Sequence, residues 1–256
     1  MGDIFDTHSH YNDSAFDSDR EELLGSLFAG GLCAAVNQGT DVPSSEWGIE
    51  YSKKYKGMYA AVGLHPECLS ENSFEDLKVI KKLAGFPKVV AIGEIGLDYY
   101  WNKDNKEAQK NLFIKQIEIA NRLSKPIVIH NRDAIYDTLR ILKEHPVQKK
   151  GIFHCCPLNP ELIKEGLKLG YYISFSGNIT FKNAKSFDAV SIVPMDRILI
   201  ETDAPYLSPE PFRGTRNNSI NVKLVAEKIA EIKKISINEV SQKTYQNAER
   251  VYEIKM

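Results

Sequence analysis

Near the start of the chain, Asp6-Thr7-His8-Ser9-His10 sets two histidines one residue apart at the end of a short apolar run. Residues i and i+2 of a strand point to the same side, so His8 and His10 would carry two imidazoles to one point. A divalent metal uses such a pair. Taken alone, the pair equally fits two polar residues in a solvated turn.

Other chemistry-bearing residues recur in the same kind of place, at the C-terminal ends of β-type runs. They are Gly63-Leu64-His65-Pro66, Gly93-Glu94-Ile95-Gly96-Leu97-Asp98, His130-Asn131-Arg132, His154-Cys155 and Glu201-Thr202-Asp203. Of the six histidines, only His145 lies elsewhere, in KEHPVQKK, where it reads as a surface residue after a helix. Each of these residues has a plain structural explanation. A strand-end histidine can bond a carbonyl, Glu94 can be a satisfied buried carboxylate, and Asp203 can cap a turn. As a group they are harder to explain that way. Buried carboxylates are costly unless neutralised, and a metal accounts for the whole cluster.

Imidazole with carboxylate suits Zn, Mn, Fe, Co or Ni, and open carboxylate-rich sites also take Mg. The chain has no thiolate set for a structural zinc. Four histidines and two carboxylates are more ligands than one open catalytic site needs. Two ions sharing a carboxylate are the natural reading, with Glu94 as the candidate bridge. Two ions about 3.5–4 Å apart can clamp the attacking and leaving oxygens of a phosphoryl displacement.

The elements that must position these residues follow from the pattern of the chain. Strands are expected at 4–8, 33–38, 57–64, 89–95, 126–130, 151–154, 171–175 and 197–202. VVAIGEI and IVIH are nearly continuous apolar runs, as in a parallel sheet buried on both faces. Helices are expected at 18–29, 107–123, 134–144, 160–169, 222–233 and 236–252. The last opens on Ser236 as N-cap with Glu239 three residues on. Eight β runs alternating with helices in 256 residues predict an α/β fold, a (β/α)8 barrel of the TIM type forming one domain over 1–256. An open doubly wound sheet is the competitor. Its nucleotide-binding form wants a Gly-rich turn after the first strand, where this chain has histidines. In a barrel the strand C-termini converge on one face, so residues over 190 positions apart could share a site.

The bulk composition excludes some classes. With 33 Lys+Arg against 34 Asp+Glu, the chain lacks the basic excess of a protein that coats nucleic acid. It could still hold a nucleic acid briefly in one cleft. The four cysteines, Cys33, Cys68, Cys155 and Cys156, form neither a disulfide framework nor CxxC. A reducing, cytoplasmic location is expected, with no leader segment and no membrane span.

DTHSHYND, GLHPE, AIGEIGLDYYW, KPIVIHNR, IFHC, YYISFSGNITFKNA and RILIETDAPYLSP together resemble the TatD family of metal-dependent deoxyribonucleases, within the amidohydrolase-like hydrolases. The resemblance covers essentially the whole chain, and GEIGLDYY and ETDAPYLSP are its most specific parts. It implies a TIM-type barrel and one or two divalent ions. It also implies hydrolysis of DNA phosphodiesters, often from a 3′ end of single-stranded substrate. Carried over, it makes His8, His10, Glu94, His130, His154 and Asp203 ligands, with Asp203 also taking a proton from the attacking water. It makes His65 a substrate-phosphate or near-metal residue. Two loops depart from the family pattern. His154-Cys155-Cys156-Pro157-Leu158-Asn159 stands where HCFSG is usual, and Arg216-Asn217-Asn218-Ser219 where RNEP is common. Both bear on substrate range more than on metal binding.

The expected activity is therefore DNA cleavage at single-stranded or frayed ends with two divalent ions (Mg, Mn or Zn). Asp203 serves as general base and Glu94 as the catalytic bridge. Arg132 and Arg213 are candidate phosphate contacts, with a solvated surface charge as the alternative for each. Lys103 is read as a solvated charge. Tyr99, Tyr100 and Trp101 offer faces for stacking bases or for packing at the barrel mouth. The same ligands would also serve an ester hydrolase on aminoacyl-tRNA or an amidohydrolase on a small molecule, although a lysine usually stands at the position of Glu94 in the latter. A noncatalytic scaffold would not need an intact ligand set. Neither a membrane nor an obligate protein partner is expected.

Overall fold

The apolar runs become strands of one parallel sheet. In the computed structural model, residues 4–101 and 103–255 are described; residues 1–3, 102 and 256, which include both ends of the expected 1–256 domain, lie outside the described residues. The strands are β1 (Ile4–Ser9), β2 (Leu32–Gln38), β3 (Met58–Val62), β4 (Val89–Asp98), β5 (Ile127–Arg132), β6 (Gly151–Phe153), β7 (Tyr172–Phe175) and β8 (Ile198–Ile200). They pair in sequence order, β1 through β8, and every ladder is parallel. β4 is buried along its whole length, as its unbroken apolar run implies.

Around the strands lie α1 (Arg20–Ala29), α2 (Val42–Lys54), α3 (Ser73–Leu83), α4 (Lys106–Arg122), α5 (Ile135–Glu144), α6 (Pro160–Lys168), α7 (Ser186–Ile192), α8 (Val222–Lys233) and α9 (Ile237–Tyr252). This is the expected (β/α)8 barrel. Among the described residues, no helix is long and apolar enough to cross a membrane. All eight strand expectations fall on strands, and α9 starts on the expected cap, with the Glu239 N–H donating to Ser236 Oγ.

Three helices were not expected: α2, α3 and α7. α2 carries Pro43, Gly48 and three serines, poor helix formers in isolation. It is held by a capping box, in which the Ser44 N–H donates to Asp41 Oδ1. A Cβ on Gly48 would stand 3.3 Å from Ala60 Cβ of β3, so glycine lets the helix sit close on the sheet. α7 has only seven residues, too few for a period to show. α3 is amphipathic and short, and burying Leu77 and Ile80 secures it.

The barrel closes between β8 and β1, where side chains share the work with the backbone. The N–H of Asp203 donates to the His8 carbonyl (2.9 Å), and that of His10 to the Ala204 carbonyl (2.7 Å). Asp6 is wholly buried in this seam. It accepts from the Thr202 N–H and hydroxyl and from the Ser219 hydroxyl. At the opposite end of the barrel, Phe5, Val36, Val90, Val128 and Leu199 form an apolar floor. The C-terminal end of α9 plugs it, with the Tyr252 hydroxyl donating to the Thr7 carbonyl (2.9 Å).

Candidate metal centre

The mouth of the barrel holds a cavity of about 770 Å³. Glu94 lies at its base, 3 % exposed, on the long strand β4. The backbone around it requires glycine twice. A Cβ on Gly93 would meet Val128 Cβ at 2.6 Å. Gly96 has φ +144°, and a Cβ there would stand 2.0 Å from the His130 carbonyl oxygen. These glycines let β4 lie close to β5 and bring Glu94 and His130 together.

The two oxygens of Glu94 face two separate groups of donors. Oε2 lies 3.3 Å from His8 Nε2 and 3.4 Å from His10 Nε2. Asp203 Oδ1 joins them at 3.5 and 3.4 Å from the same two nitrogens, which are 3.0 Å apart. Oε1 lies 2.8 Å from His154 Nε2, 2.9 Å from His130 Nδ1 and 3.5 Å from His65 Nε2. Donors bonded at 2.1 Å to a common tetrahedral ion are about 3.4 Å apart. The first group comes close to that spacing at 3.0–3.5 Å, its donors are nitrogen and carboxylate, and His8, His10 and Glu94 are buried, with Asp203 partly open to the cavity. The residues therefore fit a divalent ion, and His/Glu/Asp groups are placed to hold metal ions.

The electrostatics of the metal-free cluster reflect that crowding. Burial alone would raise the Glu94 carboxyl, but His154, His65, His8 and His10 pull it well below the ordinary range. Burial likewise opposes ionisation of Asp203, and His10 and the neighbouring imidazoles overcome it. His10, although burial lowers it, is pushed up to about 10 by Asp203 and Glu94. Burial and the charge of His130 bring His65 down to about 4, so it is neutral near pH 7. The His65 Nδ1 accepts the Glu67 N–H at 3.2 Å, which leaves the ring proton on Nε2, facing the cavity. His65 thus presents a hydrogen-bond donor rather than a lone pair.

Asp203 follows β8 with φ +58°, a left-handed conformation that Asp tolerates better than most residues. That turn aims its carboxylate at His8 and His10. The divergent loop after it acts as a brace. Buried Asn217 donates to the Thr202 and Tyr206 carbonyls, and Arg216 pairs with Asp19. Ser219 is one of the residues that donate to Asp6, so the RNNS segment anchors the strand carrying His8 as well as the turn carrying Asp203. In the other divergent loop, Cys155 and Pro157 line the cavity.

This seven-residue group of imidazoles and carboxylates, spread over six strand ends, lies in a chain that the model of TatD-related DNases matches over residues 5–253. The chain belongs to the TatD family. It is 44 % identical to YabD of Bacillus subtilis, an uncharacterised metal-dependent hydrolase, over 98 % of this chain and 99 % of that one. With YcfH of Escherichia coli K12, also called a metal-dependent hydrolase, it shares 37 % identity over 98 % and 96 % of the two chains. The crystal structure of YjjV, a TatD homologue of E. coli K12, superposes with a TM-score of 0.91 at 28 % identity, covering 98 % of each chain.

The remaining residues singled out from the sequence fall in different places within this TatD-family barrel. Arg132 lines the cavity, with its guanidinium 4.0 Å from the Tyr100 ring centroid and 5.4 Å from that of Trp101. Trp101 lines the cavity too and is 64 % exposed. Tyr99 is buried and its hydroxyl donates to Asp137, so it packs rather than presenting a face. Arg213 is exposed and lies over Phe181, outside the cavity lining. Lys103 is exposed, and His145 ends α5 away from the lining residues. Two strand-end carboxylates left out of the expected ligand group, Asp98 and Glu201, sit directly behind its histidines. Tyr206, also left out, stands on the cavity side at the rim, edge-on to His10, with its hydroxyl donating to Asp13. Asp98 and Glu201 shared the strand-end position that marked the others, and that was the available signal.

Proposed function

We propose that this chain is a metal-dependent hydrolase that cleaves phosphodiester bonds in DNA, entering at single-stranded or frayed ends. It would use two divalent ions (Mg, Mn or Zn) that share Glu94. The observation that carries this reading is the division of Glu94 between two groups of donors, Oε2 with His8, His10 and Asp203, and Oε1 with His130 and His154. A carboxylate set between two donor groups is the geometry of a bridge.

Bound at these positions, divalent ions would supply Lewis-acid polarisation of a phosphoryl oxygen and acidify a water. The protein's own residues supply the rest. The Asp203 carboxylate, held ionised beside His10 and open to the cavity, accepts the proton of the attacking water. His65 donates its Nε2 proton to a phosphate oxygen. Arg132 is the one Lys or Arg among the described cavity-lining residues and balances a second phosphate. Trp101 on one side and Tyr206 on another present exposed aromatic faces to unstacked bases. A duplex offers no such bases except where its ends fray, which favours end-directed digestion. The free thiols of Cys68, Cys155 and Cys156 agree with action in the cytoplasm.

The test is to incubate metal-stripped protein with end-labelled single-stranded DNA and Mg, Mn or Zn, beside a Glu94→Ala control. The expected result is metal-dependent shortening from one end that the control lacks. Absence of cleavage with every metal, in protein shown to bind the metal, overturns the nuclease reading. It would turn attention to an ester or amide substrate at the same site.

A further inference from the structure

Behind the donors that face Glu94 stands a second row of carboxylates. Glu201 is fully buried and follows β8. Its Oε2 accepts from the Ser174 hydroxyl (2.6 Å), and its Oε1 accepts from the Cys155 N–H (2.5 Å). The same Oε1 lies 3.4 Å from His154 Nδ1. The His154 ring is stacked on that of His8, with centroids 3.9 Å apart and planes 14° from parallel. Nδ1 of each ring is buried without a hydrogen-bond partner. Ring nitrogens of both, together with a Glu201 oxygen, fall within 4.8 Å of one another. Nε2 of each stacked ring faces Glu94, and Glu201 stands behind that of His154.

His130 is turned the other way round. Its Nδ1 faces Glu94, and its Nε2 lies 2.9 Å from Oδ2 of Asp98, whose side chain is wholly buried. Oδ1 of Asp98 accepts from the Tyr100 and Trp101 N–H groups, so the carboxylate is fixed from the aromatic turn at the cavity rim.

An imidazole that gives one nitrogen's lone pair to a metal must carry its proton on the other, and a carboxylate there fixes the tautomer and strengthens the donor. We propose that Glu201 and Asp98 are positioning residues of the metal centre. Glu201 sets the tautomer of His154, whose Nε2 faces Glu94 Oε1, and so acts on the second ion position. Asp98 sets that of His130 and acts on the same position. This rests on the two-ion reading above. It also supplies a charge that the second position lacks: beyond its share of Glu94, the facing donors there are imidazoles, whereas the first position has Asp203 as well.

The experiment counts zinc bound to metal-depleted wild type, Asp98→Asn and Glu201→Gln across a range of free zinc, with circular dichroism alongside. Two ions are expected on the wild type. In Asp98→Asn and in Glu201→Gln the first ion should bind as before and the second about 10–100-fold more weakly. Both variants holding two ions at wild-type affinity overturns the proposal. A wild type that holds a single ion overturns the two-ion reading instead. In that case, weakened binding of the single ion in either variant supports the positioning role, and unchanged binding in both variants overturns it. Should Glu201→Gln fail to fold, long-range proton–nitrogen spectra of the zinc-loaded wild type decide. Protons on Nδ1 of His154 and on Nε2 of His130 support the proposal, and the reverse tautomers overturn it.

Discussion

The floor and the mouth of this barrel are built from the same strands and are both shielded from solvent, yet they solve opposite problems. At the floor, Phe5 of β1 packs against Tyr245 and Tyr252 of α9, with ring centroids 5.9 and 6.2 Å apart. Every group there gains by leaving water. At the mouth, the same strand three residues on presents His8, 0 % exposed, against another imidazole and two carboxylates. Those groups lose by leaving water unless something compensates them. The seam and the brace loops hold them in place: Asp6, Ser219 and Asn217 tie β1 to the turn after β8. The floor therefore carries stability and the mouth carries chemistry. Their effects should separate cleanly on substitution.

The largest effect belongs to the mouth. Glu94→Gln keeps the volume but removes the charge that both donor groups share, and should cut metal-dependent cleavage by on the order of 10²–10³ or more. Its thermal midpoint should also cease to rise with added zinc, whereas that of the wild type should rise, because only a native state that binds the ion is stabilised by it. Melting curves with and without zinc read this independently of turnover. A midpoint that still climbs in the variant would place the ion elsewhere.

Next comes the floor. Phe5→Ala removes a ring that is 2 % exposed and should cost about 3–5 kcal/mol of stability by denaturant titration. Activity per folded molecule and the zinc-dependent rise in midpoint should both persist. A proportionate loss of zinc binding would show that floor and mouth are coupled through β1, and the separation would fail.

Trp101→Ala should be smaller still. A stacked base is worth about 1–3 kcal/mol, so KM for single-stranded DNA should rise about tenfold with kcat nearly constant. A small phosphodiester with no base to stack should be cleaved as before. Equal loss on both substrates would mean that Trp101 shapes the turn fixed by Asp98 and does not meet the base.

Much of this was legible from residue types and spacing, because the two ends of the barrel leave different marks. Apolar runs such as VVAIGEI announce strands buried on both faces, and a barrel must gather their ends. That is why His8 and Asp203, at opposite ends of the chain, could be assigned to one place. What was not legible depended on contacts between segments. α2 is secured by a capping box and a close glycine contact, neither of which is a periodicity. Arg213 follows β8, as a phosphate contact would, but it lies over Phe181. Glu201 and Asp98 were visible as strand-end carboxylates; that they stand behind the histidines, and not among them, depends on which way each side chain turns.

The smallest expected effect concerns charge around the mouth. The chain as a whole is nearly neutral, and the described cavity lining sets Asp13, Glu67, Glu94 and Asp203 against one arginine, Arg132. Such a surface cannot draw in a polyanion by counterion release along many phosphates. For single strands each neutralised phosphate contributes about −0.7 to the slope of log affinity against log salt. With Arg132 as the cationic contact, DNA affinity measured at fixed metal concentration should follow a slope near −0.7, and Arg132→Gln should flatten it towards zero. A slope several times steeper would reveal a basic track outside the cavity. It would bring Arg213 back as a candidate phosphate contact, and the mouth could then no longer be treated as the whole of the substrate site.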